Sequence, residues 1–344
     1  MNINLLYLTF LIIPYLFIIN FFLKRYNFCL DRQIFNENHK LLLNKNNLVP
    51  LSGSIYFLPI VFLIFYEQFY FFVLICSFIF MLGFFADLKI ITSYKIRLII
   101  QFILISLLIF TDKEIMVITR IGFFDQLMIY EITRILICSF FFMVLINGFN
   151  LIDGANCLCS LNALVVSIFT YLLINSLEIF VFKNQLNILI ISLFVFVILN
   201  FFKKNFLGDG AAYGLGFLLG YILLKISLAD SYISPYYIAI LLLYPAFENL
   251  FSIIRRFIAK QNNYLPDNNH MHHLIYKFYK KKKYFKNDTL TNSFTGISIN
   301  LILFLIYLIG FNYYNHTFIQ IILIACFIIL YLTVYHLLKQ FNVS

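Results

Sequence analysis

Charge is what this chain has least of. Asp, Glu, Lys and Arg make up 12% of its 344 residues, against about 25% in ordinary soluble domains. That figure, with 62% apolar residues and a mean hydropathy of +0.92, excludes a water-soluble domain. Disorder is excluded too, because disordered chains are rich in charge and poor in hydrophobes. Cysteine is sparse and unpatterned. Cys29, Cys76, Cys138, Cys157, Cys159 and Cys326 form no Cys-x-x-Cys pair and mostly lie inside or at the ends of apolar runs. They read as small buried hydrophobes rather than disulfides or metal ligands. The ten-residue alternation of a membrane β-barrel is missing as well.

What is present is Phe, Ile, Leu and Tyr in runs of about fifteen to twenty, the length that crosses a bilayer as a helix. Eleven such runs lie near 3–23, 49–66, 68–86, 96–111, 133–149, 158–177, 186–202, 211–229, 236–254, 296–313 and 316–338. The expected fold is therefore all-α, a polytopic integral membrane protein with one multi-span domain over 1–344. The first run does not read as a cleaved signal peptide, since it lacks a basic n-region and Lys24 and Arg25 follow it. Charge in that place holds its end in the cytoplasm, with the N-terminus outside and the C-terminus cytoplasmic. On this topology 20 of the 25 Lys and Arg face inward, the exceptions being Lys113, Arg120, Arg134, Lys183 and Lys225. The net charge of +10 is then topology charge and no sign of nucleic-acid binding.

The inner connections 24–48, 87–95, 150–157, 203–210 and 255–295 are expected to form one active-site face. They hold residues a greasy scaffold has no use for. Asn147-Gly148-Phe149-Asn150-Leu151-Ile152-Asp153-Gly154-Ala155-Asn156 suits hydrogen bonding to a nucleobase, ribose or sugar, or is only a polar turn between helices. Phe206-Leu207-Gly208-Asp209-Gly210 opens an apolar run. Its glycines permit a sharp turn, and Asp209 either binds Mg²⁺ or caps the helix. Pro266-Asp267-Asn268-Asn269-His270-Met271-His272-His273 crowds three imidazoles into four positions. Beside Arg255 and Arg256 they fit a phosphate-rich ligand better than zinc.

Three further features have weaker functional readings. Lys280 to Lys283, with Lys277 and Lys286, reads as topology charge or a grip on anionic headgroups, with no catalytic role. Asp87 stands alone where a run meets solution. Glu248 falls inside the ninth run, where an acid is a functional candidate, and Pro245 is expected to kink that helix.

In this order the motifs resemble the polyprenyl-phosphate N-acetylhexosamine-1-phosphate transferases, the MraY/WecA-like glycosyltransferase family 4. The blocks that carry the resemblance are Asp31 through Val49-Pro50-Leu51-Ser52-Gly53; Gly83 to Asp87 with Arg97 and Gln101; Asn147 to Asn156; Phe206 to Gly216; and Pro245, Glu248, Arg255 and Arg256 with Pro266 to His273. The resemblance implies transfer of a sugar-1-phosphate from a UDP-sugar to a polyprenyl phosphate such as undecaprenyl phosphate, releasing UMP and using Mg²⁺. It implies Asp209 as metal ligand and Asp87 in the prenyl-phosphate and metal region. Phe206 would stack on uracil, Asp153, Gly154 and Asn156 would line the nucleoside pocket, and Asn150 and Asn200 would lie nearby. His270, His272 and His273 would lie by the diphosphate, with Arg255 and Arg256 among the substrate-binding residues. The implied partners are the UDP-sugar, the lipid phosphate and the bilayer, with the oligomeric state left open between a homodimer and other assemblies.

The chain departs from the family pattern at four positions. Ala86 replaces the first acid of the usual pair, which some mechanisms use to deprotonate the acceptor. A phosphate monoester has its second pKa near about 6, so the acceptor is largely dianionic at neutral pH without a base. Ala211 and Ala212 replace a Gly-Ser, and Cys157 stands where glycine is usual. The first block lacks the longer motif of the peptidoglycan branch, which favours a peptide-free UDP-N-acetylhexosamine and a surface-polysaccharide pathway. The rival readings are a transporter or flippase, which would place ionisable groups near the midplane of repeated halves, and a catalytically silent relative.

Overall fold

The computed structural model describes residues 3–31, 48–260 and 269–343, with side chains described from Phe10 to Asn342 within them. Most of the first inner connection, and Pro266, Asp267 and Asn268 of the His motif, lie outside the described residues. The chain begins with α1 (Ile3–Arg25), β1 (Leu30–Asp31), β2 (Val49–Pro50), α2 (Gly53–Phe65), α3 (Tyr70–Asp87) and α4 (Tyr94–Thr111). A short α5 (Gly122–Leu127) leads to α6 (Glu131–Ile152), α7 (Leu158–Ser176), α8 (Lys183–Phe201) and α9 (Gly208–Ala229). It ends with α10 (Pro235–Leu241), α11 (Leu243–Ile258), α12 (Met271–Lys282), α13 (Asp288–Asn312) and α14 (Thr317–Val343). Helix is what a bilayer demands, because no water is there to satisfy an open backbone. Among the described residues, α3, α4, α6, α7, α8, α9, α13 and α14 are each long and apolar enough to cross, and the bent α10–α11 pair makes a ninth if its two arms form one span. The protein is a multi-pass membrane protein.

Two expected spans are corrected. The run at 49–66 is not one helix: its first residues form β2, and α2 has 13 residues. Pro50 has no N–H for a helical bond and biases Val49 toward extended backbone, so the helix starts after Ser52. At about 1.5 Å per residue α2 is about 20 Å long, short of a bilayer core of about 30 Å. The run at 236–254 is broken, with α10 and α11 meeting at 74°. Pro245 is the cause, although the break falls at Leu242. Its missing N–H abandons the Leu241 carbonyl, and its ring crowds that same group four residues back.

The run 255–295, expected as a polar connection, contains α12. Met271, Leu274, Ile275 and Phe278 recur at helical spacing and turn the apolar face of α12 to α13 and α14.

The middle of the bundle is α9. Of its spanning window 83% is buried, against 17% for α14. It packs against α3 on one side and α6 on the other. Small residues let these backbones approach, which matters where lipid removes the hydrophobic drive between helices. A Cβ on Gly83 of α3 would stand 2.6 Å from the Gly210 nitrogen of α9. The outer helices present Phe17, Ile99, Ile103 and Ile329 outward, as lipid contact requires. Near the C-terminal end of α9, Lys225 pairs with Asp112 (2.9 Å) and Glu114 (3.1 Å).

At the other end a short ladder ties distant segments. β1 and β2 pair antiparallel, Leu30 opposite Pro50 and Asp31 opposite Val49. Leu51 bridges to Phe206 in parallel, with the Phe206 N–H on the Pro50 carbonyl (2.9 Å) and the Ser52 N–H on the Phe206 carbonyl (3.2 Å). The residue before Leu207-Gly208-Asp209 is thereby fixed by a strand more than 150 residues earlier in the chain.

Candidate active site

The site is built around the N-terminus of α9, whose first backbone N–H groups have no partner within the helix. Two carboxylates from other helices fill that need. Asp87, the last residue of α3, accepts from the Asp209 N–H at Oδ1 (2.9 Å) and from the Gly210 N–H at Oδ2 (3.2 Å). Asp153, just past α6, accepts from the Gly208 N–H at Oδ2 (3.1 Å). Negative charge at a helix N-terminus also meets the favourable end of its dipole. Gly208 adopts φ +80°, and a Cβ there would stand 2.7 Å from Asp87 Oδ2, so this position takes glycine on two counts. Burial, reinforced by the Asp209 and Asp87 carboxylates, pushes the Asp153 carboxyl well above its ordinary pKa, with the Gly208 N–H opposing.

Asp209 lies in the first turn of α9 with its side chain 36% exposed. Its Oδ2 takes the Arg97 guanidinium of α4 at 2.9 Å, and its Oδ1 takes the Asn150 amide of α6 at 2.8 Å. The same Arg97 nitrogen also donates to the Tyr213 hydroxyl (3.0 Å). Asp209 is thus oriented from two helices while part of it faces outward. Among the described residues no three His, Cys, Asp or Glu side chains form a cage that holds a metal alone. Mg²⁺ seldom needs one, because it binds through one or two carboxylates and fills its sphere with water and substrate phosphate. An exposed carboxylate beside two others, close enough to raise the proton affinity of the buried Asp153, fits that cation. Asp209 has the open face, whereas both oxygens of Asp87 already cap α9.

Asn156 and Asn200, expected at the nucleoside, are placed behind the 150–157 connection. Asn156 is buried, its N–H on Asn292 Oδ1 (3.0 Å) and its amide on Ser293 Oγ (3.2 Å). Asn200 is buried too; its Oδ1 accepts the Cys157 N–H (2.6 Å) and its amide donates to the Asn205 carbonyl (2.8 Å). Both shape the loop from inside. Cys157 sits at φ +61°, a left-handed conformation that costs a residue with a Cβ about 1–2 kcal/mol; a glycine there would be unstrained.

The His cluster meets this loop directly. A Cβ on Gly154 would run into His272 Nε2, so the 150–157 connection and the start of α12 are in van der Waals contact. His272 is 1% exposed, and neither ring nitrogen has a hydrogen-bond partner among the described residues. Burial, with His273 and His270 adding, holds its imidazole well below its ordinary pKa. His270 and His272 stack with ring centroids 5.7 Å apart. His270 Nδ1 lies 3.1 Å from Glu248 Oε1. Glu248 therefore serves the His cluster, against its reading as a midplane group on a transport path. Arg255 also turns inward, onto the Asn269 carbonyl and the Tyr335 hydroxyl (2.9 Å), and so braces the His segment. Arg256 beside it and the Phe206 ring are half-exposed.

Arg97 was quoted in the sequence only as part of a block. Its pairing with Asp209 spans 112 positions, and no local spacing reveals it. Asn292 and Ser293 meet Asn156 across 136 and 137 positions and are as invisible to local spacing.

The model of the family described as Glycosyl transferase family 4 matches residues 69–227. No curated protein matches the sequence. The matched stretch carries Asp87, Arg97, Asn150, Asp153 and Asp209 and ends before Glu248 and the His cluster. From α3 through most of α9 the chain is thus similar to glycosyl transferase family 4, and this stretch is set among membrane-spanning helices.

Proposed function

We propose that the protein transfers a sugar-1-phosphate, N-acetylhexosamine-1-phosphate as the favoured class, from a UDP-sugar to a polyprenyl phosphate, releasing UMP. One observation carries the reading. Segments ending at Asp87, 150–157, 206–210 and 270–273, remote in sequence, touch one another at one end of the bundle. A water-soluble nucleotide and a lipid-dissolved phosphate can meet only at such a level. The reading includes eleven membrane passes, with α2 and the extended residues before it taken together as one of them, the N-terminus outside and this end in the cytoplasm, in line with the 20 inward basic residues. Cysteines placed at 92 and 204, both exposed positions, are then labelled from the cytoplasmic side alone.

The acceptor phosphate attacks the β-phosphorus of the UDP-sugar, which is the phosphorus bonded to the sugar. The bond from that phosphorus to the bridging oxygen breaks, and UMP leaves with the electron pair. Asp209, with Asp87 adjacent, would hold Mg²⁺, which when bound would neutralise phosphate charge. The chain's own groups do the aligning, which is most of what in-line phosphoryl transfer needs. Arg97 and Asn150 fix the two oxygens of Asp209. Asp87 and Asp153 anchor the start of α9 so that Asp209 keeps its place. The half-exposed Phe206 ring offers a stacking face for uracil, and Gly154 allows the His cluster to stand against the nucleoside loop. Ala86 brings no base, consistent with an acceptor already dianionic.

The test incubates purified protein with labelled UDP-GlcNAc or UDP-GalNAc, Mg²⁺ and undecaprenyl phosphate. A labelled lipid and equimolar UMP are expected. Failure with every UDP-N-acetylhexosamine, beside an active relative, would leave a silent homologue.

A further inference from the structure

Glu248 is an acid with no exposed surface, in a helix that belongs to a membrane segment. A carboxylate so placed survives only with partners, and it has three. Oε1 accepts from His270 Nδ1 (3.1 Å) and from the Met271 N–H (3.3 Å); Oε2 accepts from the Tyr331 hydroxyl of α14. Met271 is the first residue of α12, and His270 before it makes no side-chain cap of its own. Glu248 therefore caps α12 from another helix while gripping the imidazole that precedes it.

The grip has a chemical consequence. An ionised carboxylate only accepts, so with Glu248 charged the proton of the shared contact lies on His270 Nδ1. That fixes the ring's tautomer and rotation and leaves Nε2, on the opposite edge, as the nitrogen offered to a ligand. We infer that Glu248 is a positioning residue of the transferase: with Tyr331 it sets His270 Nε2 toward the substrate's phosphates and holds the start of α12 against the nucleoside loop. The inference rests on the transfer reaction proposed above. It extends the machinery beyond the family-matched stretch, to α11 and α14.

Glu248→Ala, Glu248→Gln and Tyr331→Phe are compared with the parent in detergent for turnover, donor KM and thermal midpoint. Imidazole ¹⁵N spectra are recorded on histidine-labelled protein, His270 being assigned by its loss in His270→Asn. The positioning role expects Glu248→Ala to lower kcat per folded molecule about 10- to 100-fold, the usual effect of removing such an outer partner, with donor KM little changed. Glu248→Gln keeps a neutral acceptor and recovers most of the rate, and Tyr331→Phe has the smallest effect. The Nδ1-protonated signal of His270 is expected in the parent and in Glu248→Gln and is lost or mixed in Glu248→Ala. Loss of rate only in proportion to loss of folded protein, or an unchanged His270 tautomer in Glu248→Ala, overturns the inference. Should no UDP-sugar turn over in the parent, the transfer reading fails, while the ¹⁵N spectra still decide whether Glu248 sets the ring.

Discussion

The two ends of α9 carry charge in opposite ways. At the C-terminal end Lys225 lies between Asp112 and Glu114, and the Glu114 side chain is 85% exposed. The charges there answer one another, and a pair so open to water contributes little, typically under about 1 kcal/mol. At the N-terminal end Asp87 and Asp153 are answered by main-chain N–H groups of α9, and Asp209 is oriented by Arg97 and Asn150 with a face still open. A cluster whose members consume each other is structure. A cluster held by the surrounding fold keeps capacity for a ligand, and that is the mark of the site.

The sharpest way to break this contrast is Asp209→Asn. Removing the open carboxylate should reduce Mg²⁺-dependent turnover by at least about 10²-fold, the scale of losing one electrostatic group at a reacting centre. The protein should still fold, since Asp209 does not cap its own helix; a monodisperse detergent peak and an unchanged thermal midpoint check that. Asp87→Asn comes next and should differ in kind. It leaves one N–H of α9 facing an amide NH₂ group, so stability should fall by about 1–2 kcal/mol along with activity, read as a lower midpoint. An unchanged midpoint would mean that Asp87 does not hold α9.

Cys157→Gly removes the left-handed strain beside the Asn200 contact and should raise stability by up to about 1 kcal/mol, tempered by the added freedom of glycine in the unfolded chain. Lys225→Gln is the smallest. It should move stability by under about 1 kcal/mol and leave turnover alone. A large loss of turnover in Lys225→Gln would erase the distinction between the two ends.

Much of the site was legible because polar residues are costly in an apolar chain and therefore conspicuous. Asp87, Asp153, Asp209 and the His cluster could be picked out one by one, and their common side followed from the placement of Lys and Arg. What the sequence does not carry is the direction each group faces. Asn150 and Asn156 stand in one motif, yet Asn150 reaches Asp209 while Asn156 turns to Asn292 and Ser293. Their partners lie 59, 136 and 137 positions away, so spacing within the motif says nothing of the choice. Helix α12 was legible in principle from Met271, Leu274, Ile275 and Phe278, but three histidines and a lysine run drew the reading toward a loop. The strand at Val49–Pro50 was hidden because an apolar run of that length reads as helix until its proline is given weight.

The break at Leu242 works as a bracket. Glu248 stands six residues beyond it, about 9 Å along α11 at 1.5 Å per residue, and a turn of 74° sends nearly all of that reach away from the line of α10. A straight helix would have carried the carboxylate onward along the axis of α10. The bent one cantilevers it under the first turn of α12. A missing backbone hydrogen at Pro245 thereby acts as the joint of an arm, and its tip is where the imidazoles take their bearings.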